Sequence, residues 1–236
     1  MSQELLKQAE QLAREEFGGT SAGHDWWHTA RVRDLAVAIG RREGADLLTV
    51  EAAALLHDIG DVKFSGSKSA GAKRVARWLR ERAMSETFVA TVVAIVKGVS
   101  YRGAGVPDLP LPLEGMCVRD ADRLDALGAI GIARTFAYGG HLGELMHDPA
   151  YRPNLHTTES AYRSETSSSV GHFYEKTLLL RDRMGTNTGR IIAERRHAYT
   201  EEFLQQFDVE WRAKDVPALE SDAPAAINRD MDRTQT

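Results

Sequence analysis

The stretch that most constrains this chain runs from Val50 to Asp61. An apolar, alanine-rich run through Leu56 delivers His57 and Asp58 to the point where a helix should stop. Gly60 is the expected terminator, because glycine enters the left-handed region at no steric cost. Adjacent residues on a regular helix point about 100° apart, but at a fraying last turn they can converge on one ion. An imidazole and a carboxylate together suit a divalent cation of the manganese, iron, cobalt or nickel kind. The question is then whether the chain supplies the remaining ligands.

Composition excludes several classes. At 236 residues the chain can bury a sizeable core, and its 42% hydrophobic and 27% charged content is that of a soluble globular protein. A formal charge of −4 gives no global basic field for nucleic acid. The single cysteine, Cys117, excludes an intrachain disulfide and fits a reducing cytosol. Met1 to Glu10 is acidic and amphipathic, unlike a secretory signal, and the longest apolar run, Val89 to Val96, is too short to cross a bilayer.

Apolar periodicity predicts helices throughout. The first spans Ser2 to Phe17, and the second runs from an Asp25 cap to about Arg42, with His28, Val32, Leu35, Ala36 and Ile39 facing inward. The third, Leu47 to Ile59, carries the central stretch. Ser67 to Ala83 and Phe88 to Val99 follow; the latter is β-branched, but with no partner strand it reads as a buried helix. Three prolines make Tyr101 to Pro112 a loop. Met116 to Ala137 reads as one helix, rich in alanine and glycine. Tyr138 to Ser168 reads as a long polar loop, Val170 to Arg183 and Thr188 to Lys214 as two final helices, and residues 215–236 as a disordered tail. The expected fold is all-α.

Two further features bear on a metal. His28 sits within an apolar stripe, and a buried neutral histidine needs a hydrogen-bond partner or a metal. Asp120, Asp122 and Asp125 lie within six residues of an otherwise apolar helix; Asp122 and Asp125 share a face, where like charges are costly unless a cation compensates them.

His28-x-x-Arg31-Val32, then His57-Asp58, then Ala121-Asp122-Arg123-Leu124 resembles the HD-domain metal-dependent phosphohydrolase superfamily. Gly23-His24-Asp25-Trp26-Trp27-His28, the run from Arg119 to Phe136, and His172-Phe-Tyr-Glu-Lys176 are similar to a narrower bacterial group, the YpgQ-like nucleotide pyrophosphohydrolases. The resemblance implies an HD-domain helical bundle over residues 1–214, with a metal core at about 20–140 and C-terminal helices at about 167–214 packed on it. It implies His28, His57, Asp58 and Asp122 as metal ligands, with Asp122 favoured over Asp120 by its Asp-Arg-Leu context. Asp120 would stand behind the ligands.

No histidine lies between Asp58 and Asp122, where two-metal relatives place extra ones, so one divalent ion is expected. Mn²⁺ is the first choice, with Ni²⁺, Co²⁺, Fe²⁺ or Mg²⁺ as alternatives. Asp61 would orient or deprotonate the attacking water, and Lys63 would hold a phosphate. His24, Trp27, Lys97, Arg123, Asp125 and Lys176 are candidates for substrate contacts. The implied reaction is hydrolysis of a (deoxy)nucleoside triphosphate to monophosphate and pyrophosphate by a cytoplasmic enzyme, compatible with a homodimer. A 5′-nucleotidase or another phosphomonoesterase or phosphodiesterase is the alternative. A non-catalytic metal- or nucleotide-binding regulatory module is the alternative of another class.

Overall fold

A computed structural model describes residues 2–19, 25–59, 68–164 and 168–217. Helices α1 (Ser2–Phe17), α2 (Trp26–Glu43), α3 (Leu47–Leu56), α4 (Lys68–Arg80) and α5 (Glu86–Gly98) lead to α6 (Leu113–Leu124) and α7 (Gly128–Leu142). The short α8 (Glu159–Ser164) and α9 (Ser169–Glu175), a 3-10 turn at Thr177–Arg183 and the long α10 (Asn187–Trp211) complete the chain. The fold is all-α: the described residues contain no strand. None of their helices is long and apolar enough to cross a membrane.

The main core packs around α3. Val50, Ala52, Ala53, Ala54, Leu55 and Leu56 are all buried, as a helix apolar on every side must be. It is surrounded by α1, α2, α5 and α6. The amphipathic helices complete the core with Leu5, Ala9, Ala13 and Phe17 from α1 and Val32, Ala36 and Ile39 from α2. Asp25 caps α2 as expected, its Oδ1 accepting from the His28 amide at 2.8 Å, and Gly44 closes it at φ 77°. A second apolar cluster, Ile132, Val170, Phe173 and Leu204 with Phe136, Phe203 and Phe207, joins α7, α9 and α10.

Several boundaries differ from the sequence expectation. α3 ends at Leu56, with His57 as its cap, short of Ile59; the anticipated terminator Gly60 lies outside the described residues, as does the 218–236 tail. The expected helix from Met116 to Ala137 is two helices, broken at 125–127. Gly128 sets the new direction at φ 71°, and its amide donates to Thr200 Oγ1 at 2.9 Å. The final pair of helices is likewise three segments, because Lys176 leaves the helical region at φ −137°. The 143–158 stretch is tied down despite its length: Glu175, itself buried, accepts from the Tyr151 hydroxyl and from the Asn154 amide at 3.0 Å.

Asp120 corrects a further expectation. It stands behind no ligand but faces the start of α10, where it accepts from the Gly185 and Thr186 amides at 2.8 Å each and from Thr186 Oγ1 at 2.7 Å. Gly189 permits this approach, since a Cβ there would lie 2.3 Å from Asp120 Oδ2. Asp120→Asn would set an amide N–H against one of these donors. A buried donor left unmatched costs about 2 kcal/mol. Calorimetry should show a fall in Tm of roughly 6 °C, with divalent-ion stoichiometry unchanged; a lost ion would return Asp120 to the site.

Candidate metal centre

The chain ends α3 in a way that aims His57. The last carbonyls of a helix lack intrahelical partners. The His57 ring uses one of them, with Nδ1 2.7 Å from the Ala54 carbonyl oxygen. A carbonyl can only accept, so Nδ1 carries the proton and Nε2 keeps its lone pair. Nε2 is buried and makes no hydrogen bond within the described residues.

His28 is held the same way by a different acceptor. Its Nδ1 lies 2.7 Å from Asp125 Oδ2, so its Nε2 is also turned inward. That atom lies 3.5 Å from Asp58 Oδ2 and 3.5 Å from Asp122 Oδ1. His57 Nε2 is 3.4 Å from Asp58 Oδ1 and 4.0 Å from Asp122 Oδ1. The two rings meet edge to face at 5.4 Å. His28, His57 and Asp58 form the tightest group, each offering one ligand atom within 4.8 Å of the others. Asp122 adds its carboxylate from α6, with its side chain 25% exposed, so the site opens to solvent on that side.

The electrostatics favour a cation. Burial pulls the His28 imidazole down, but the carboxylates of Asp122, Asp125 and Asp58 outweigh it and push it up to about 10. Burial opposes ionisation of Asp122, yet His28 and His57 hold it below the usual carboxylate range. The pocket thus draws positive charge among its carboxylates. Once the His28 proton is displaced, two imidazole lone pairs and two carboxylates fit an intermediate divalent ion.

The other candidates separate. Arg123 does not offer itself to a phosphate: only 2% exposed, it donates to the Arg183 carbonyl and to Asp108 Oδ1, both at 2.6 Å, and secures the loop before α6. Asp125 is no substrate contact either. It is buried beneath His28 and also takes Arg31 Nε at 2.7 Å and Arg134 Nη1 at 3.0 Å. Trp26 packs into the core with Arg14 4.0 Å above its ring, whereas Trp27 is 65% exposed. Lys97 is exposed on the last turn of α5, and the Lys176 ammonium lies 5.7 Å from the Tyr101 ring. His24, Asp61 and Lys63 lie outside the described residues. Sequence reasoning missed Arg134. A lone arginine among the alanines and glycines of α7 was the one signal available, and nothing in its spacing points to a residue on α6.

The HD domain family matches residues 26–127. Bacillus subtilis YpgQ is 37% identical over 221 residues, covering 92% of this chain and 98% of YpgQ. The chain belongs to the HD-domain superfamily. Solved structures agree. An HD-superfamily hydrolase from Bacillus thuringiensis superposes with TM-score 0.70 at 40% identity, covering 90% of this chain and 100% of that one. A Lactobacillus plantarum protein gives 0.81 at 36% identity, over 89% and 97%. YpgQ in complex with ADP gives 0.71 at 34% identity, over 92% and 97%. This HD protein is a metal-dependent hydrolase, and its His28, His57 and Asp58 side chains offer three atoms spaced to hold a metal ion.

Asp125 gives the HD site a pH signature. Burial raises its pKa, but His28 and Arg31 outweigh that and hold it at about 2. The carboxylate would titrate near 3.9 in an unfolded chain, so it adds stability above about pH 4 that is lost as pH falls through about 2. In metal-free protein the stability lost between pH 5 and pH 2 should be about 2 kcal/mol smaller for Asp125→Asn than for wild type. Urea denaturation measures this, and equal losses would remove Asp125 from the acid response.

Proposed function

We propose that this HD hydrolase cleaves nucleoside triphosphates, deoxynucleotides first, to the monophosphate and pyrophosphate, at one divalent ion held by His28, His57, Asp58 and Asp122. The observation that carries the reading is that the Asp58 and Asp122 carboxylates each lie within 4.0 Å of both His28 Nε2 and His57 Nε2. The absence of a histidine between Asp58 and Asp122 supports a single ion, and Mn²⁺ suits mixed imidazole and carboxylate donors. Support for a nucleotide comes from YpgQ, a relative solved in complex with ADP. The choice of the α-phosphate and of deoxyribose extends the resemblance to the YpgQ-like group. A single cysteine and a net charge of −4 support a cytoplasmic enzyme acting on a small molecule and not on nucleic acid.

When bound, a divalent ion polarises a phosphoryl oxygen and lowers the pKa of its water. The chain's own groups do the rest. Ala54 and Asp125 fix both imidazole tautomers before substrate arrives, so no reorientation is needed at the moment of reaction. Trp27, exposed one residue before His28, offers a face on which a base can stack. Lys97 and Lys176 remain candidates to hold the polyphosphate, and His24 to line the pocket. Asp61 is assigned to the attacking water and Lys63 to a phosphate oxygen.

Asp58→Ala tests the centre. Removing one of two facing carboxylates relieves repulsion, so the helical circular dichroism signal should persist. Bound Mn²⁺, measured by elemental analysis, and hydrolysis should both disappear. Retained turnover after dialysis against chelator would take the metal out of the mechanism. Product analysis of a nucleotide panel tests the bond: pyrophosphate is expected from triphosphates. Inorganic phosphate alone from every nucleotide would replace this reading with a 5′-nucleotidase.

A further inference from the structure

The two histidines of the site have unlike acceptors behind them. His57 donates to a neutral carbonyl, whereas His28 donates to the buried carboxylate of Asp125. A carboxylate behind a metal-bound imidazole makes it a stronger donor and adds negative charge near the ion. This carboxylate is heavily shared. Arg31, one helical turn after His28, grips it with Nε at 2.7 Å and Nη2 at 3.0 Å. Arg134, from α7, reaches the same Oδ2 that faces His28, with Nη1 at 3.0 Å, and also the Asp125 backbone carbonyl at 3.2 Å. Guanidinium groups stay charged at any relevant pH. Two guanidinium groups therefore contact the one carboxylate behind His28. If Asp125 served only to aim the ring, a neutral acceptor such as the one behind His57 would suffice.

We propose that Arg134 and Arg31 are positioning residues that act on the divalent ion through Asp125. They divide the carboxylate's hydrogen-bonding capacity, keep His28 a moderate donor, and leave the ion a stronger Lewis acid toward phosphate than an unshared carboxylate would. The inference rests on the metal reading above and adds two residues to it. It also explains why α7 must fold back at Gly128: the turn brings Arg134 to the carboxylate that ends α6.

The test is the Mn²⁺ dissociation constant of the full chain, by titration calorimetry at fixed pH and ionic strength. Asp125→Asn should weaken binding about tenfold or more. Arg134→Gln should do the opposite, tightening it about three- to tenfold, because a positive charge near the ion is gone and Asp125 is freed toward His28. Arg134→Lys keeps the charge and should stay within about twofold of wild type. Tightening is a signature that structural damage does not produce. Weakened or unchanged affinity in Arg134→Gln overturns the proposal. If that variant does not fold, Arg31→Gln decides by the same sign. Wild-type protein that takes up no Mn²⁺ would instead overturn the metal reading, and this inference with it.

Discussion

Two carboxylates and two imidazole lone pairs can share a buried space only if positive charge shares it with them. Asp58, just past the end of the largely apolar α3, and Asp122, from α6, each lie 3.5 Å from the same nitrogen of His28. Coulomb repulsion between two such carboxylates costs about 1–4 kcal/mol even with solvent reaching the Asp122 side. The rest of the molecule is arranged so that this constellation persists. α3 is buried on all sides and cannot rotate without exposing alanine and leucine. α2 is pinned at both ends by its caps, and α6 is held at its C-terminus by Arg196, which donates to the Leu124 carbonyl at 2.6 Å.

How much of this the sequence could reveal depends on the kind of interaction. The helices of the first hundred residues were legible because caps and apolar spacing are local signals; Asp25 caps α2 where its chemistry predicts. The pairing of His57 with Asp58 was legible for the same reason. The division of labour among the three aspartates was less so. Positions 120 and 122 are about 200° apart on a helix, so they must face different neighbours. What waits opposite Asp120 is a turn 65 residues further on, which no local pattern discloses. Arg123 misled in the same way. A basic residue beside a metal ligand suggests phosphate, yet its partners Asp108 and Arg183 lie in loops whose packing only the fold determines.

The break between α6 and α7 shows another limit. Apart from Asp125, alanine, leucine and glycine run through it, and an apolar pattern continues across a sharp turn as readily as along a helix. Only the positive φ of Gly128 marks the corner, and propensity cannot distinguish that glycine from Gly131 three residues later. The corner matters because Asp125 sits in it, and Asp125 decides which nitrogen of His28 faces Asp58 and Asp122.

That corner also has a consequence for the order in which the protein can be finished. The Gly128 amide is held by Thr200 and the Leu124 carbonyl by Arg196, each partner 72 residues further along the chain. All four central side chains have left the ribosome long before α10 does. A nascent chain carrying them lacks the two α10 side chains that hold the backbone on either side of Asp125. The corner behind His28 is therefore completed late, by a helix that contributes none of those four side chains.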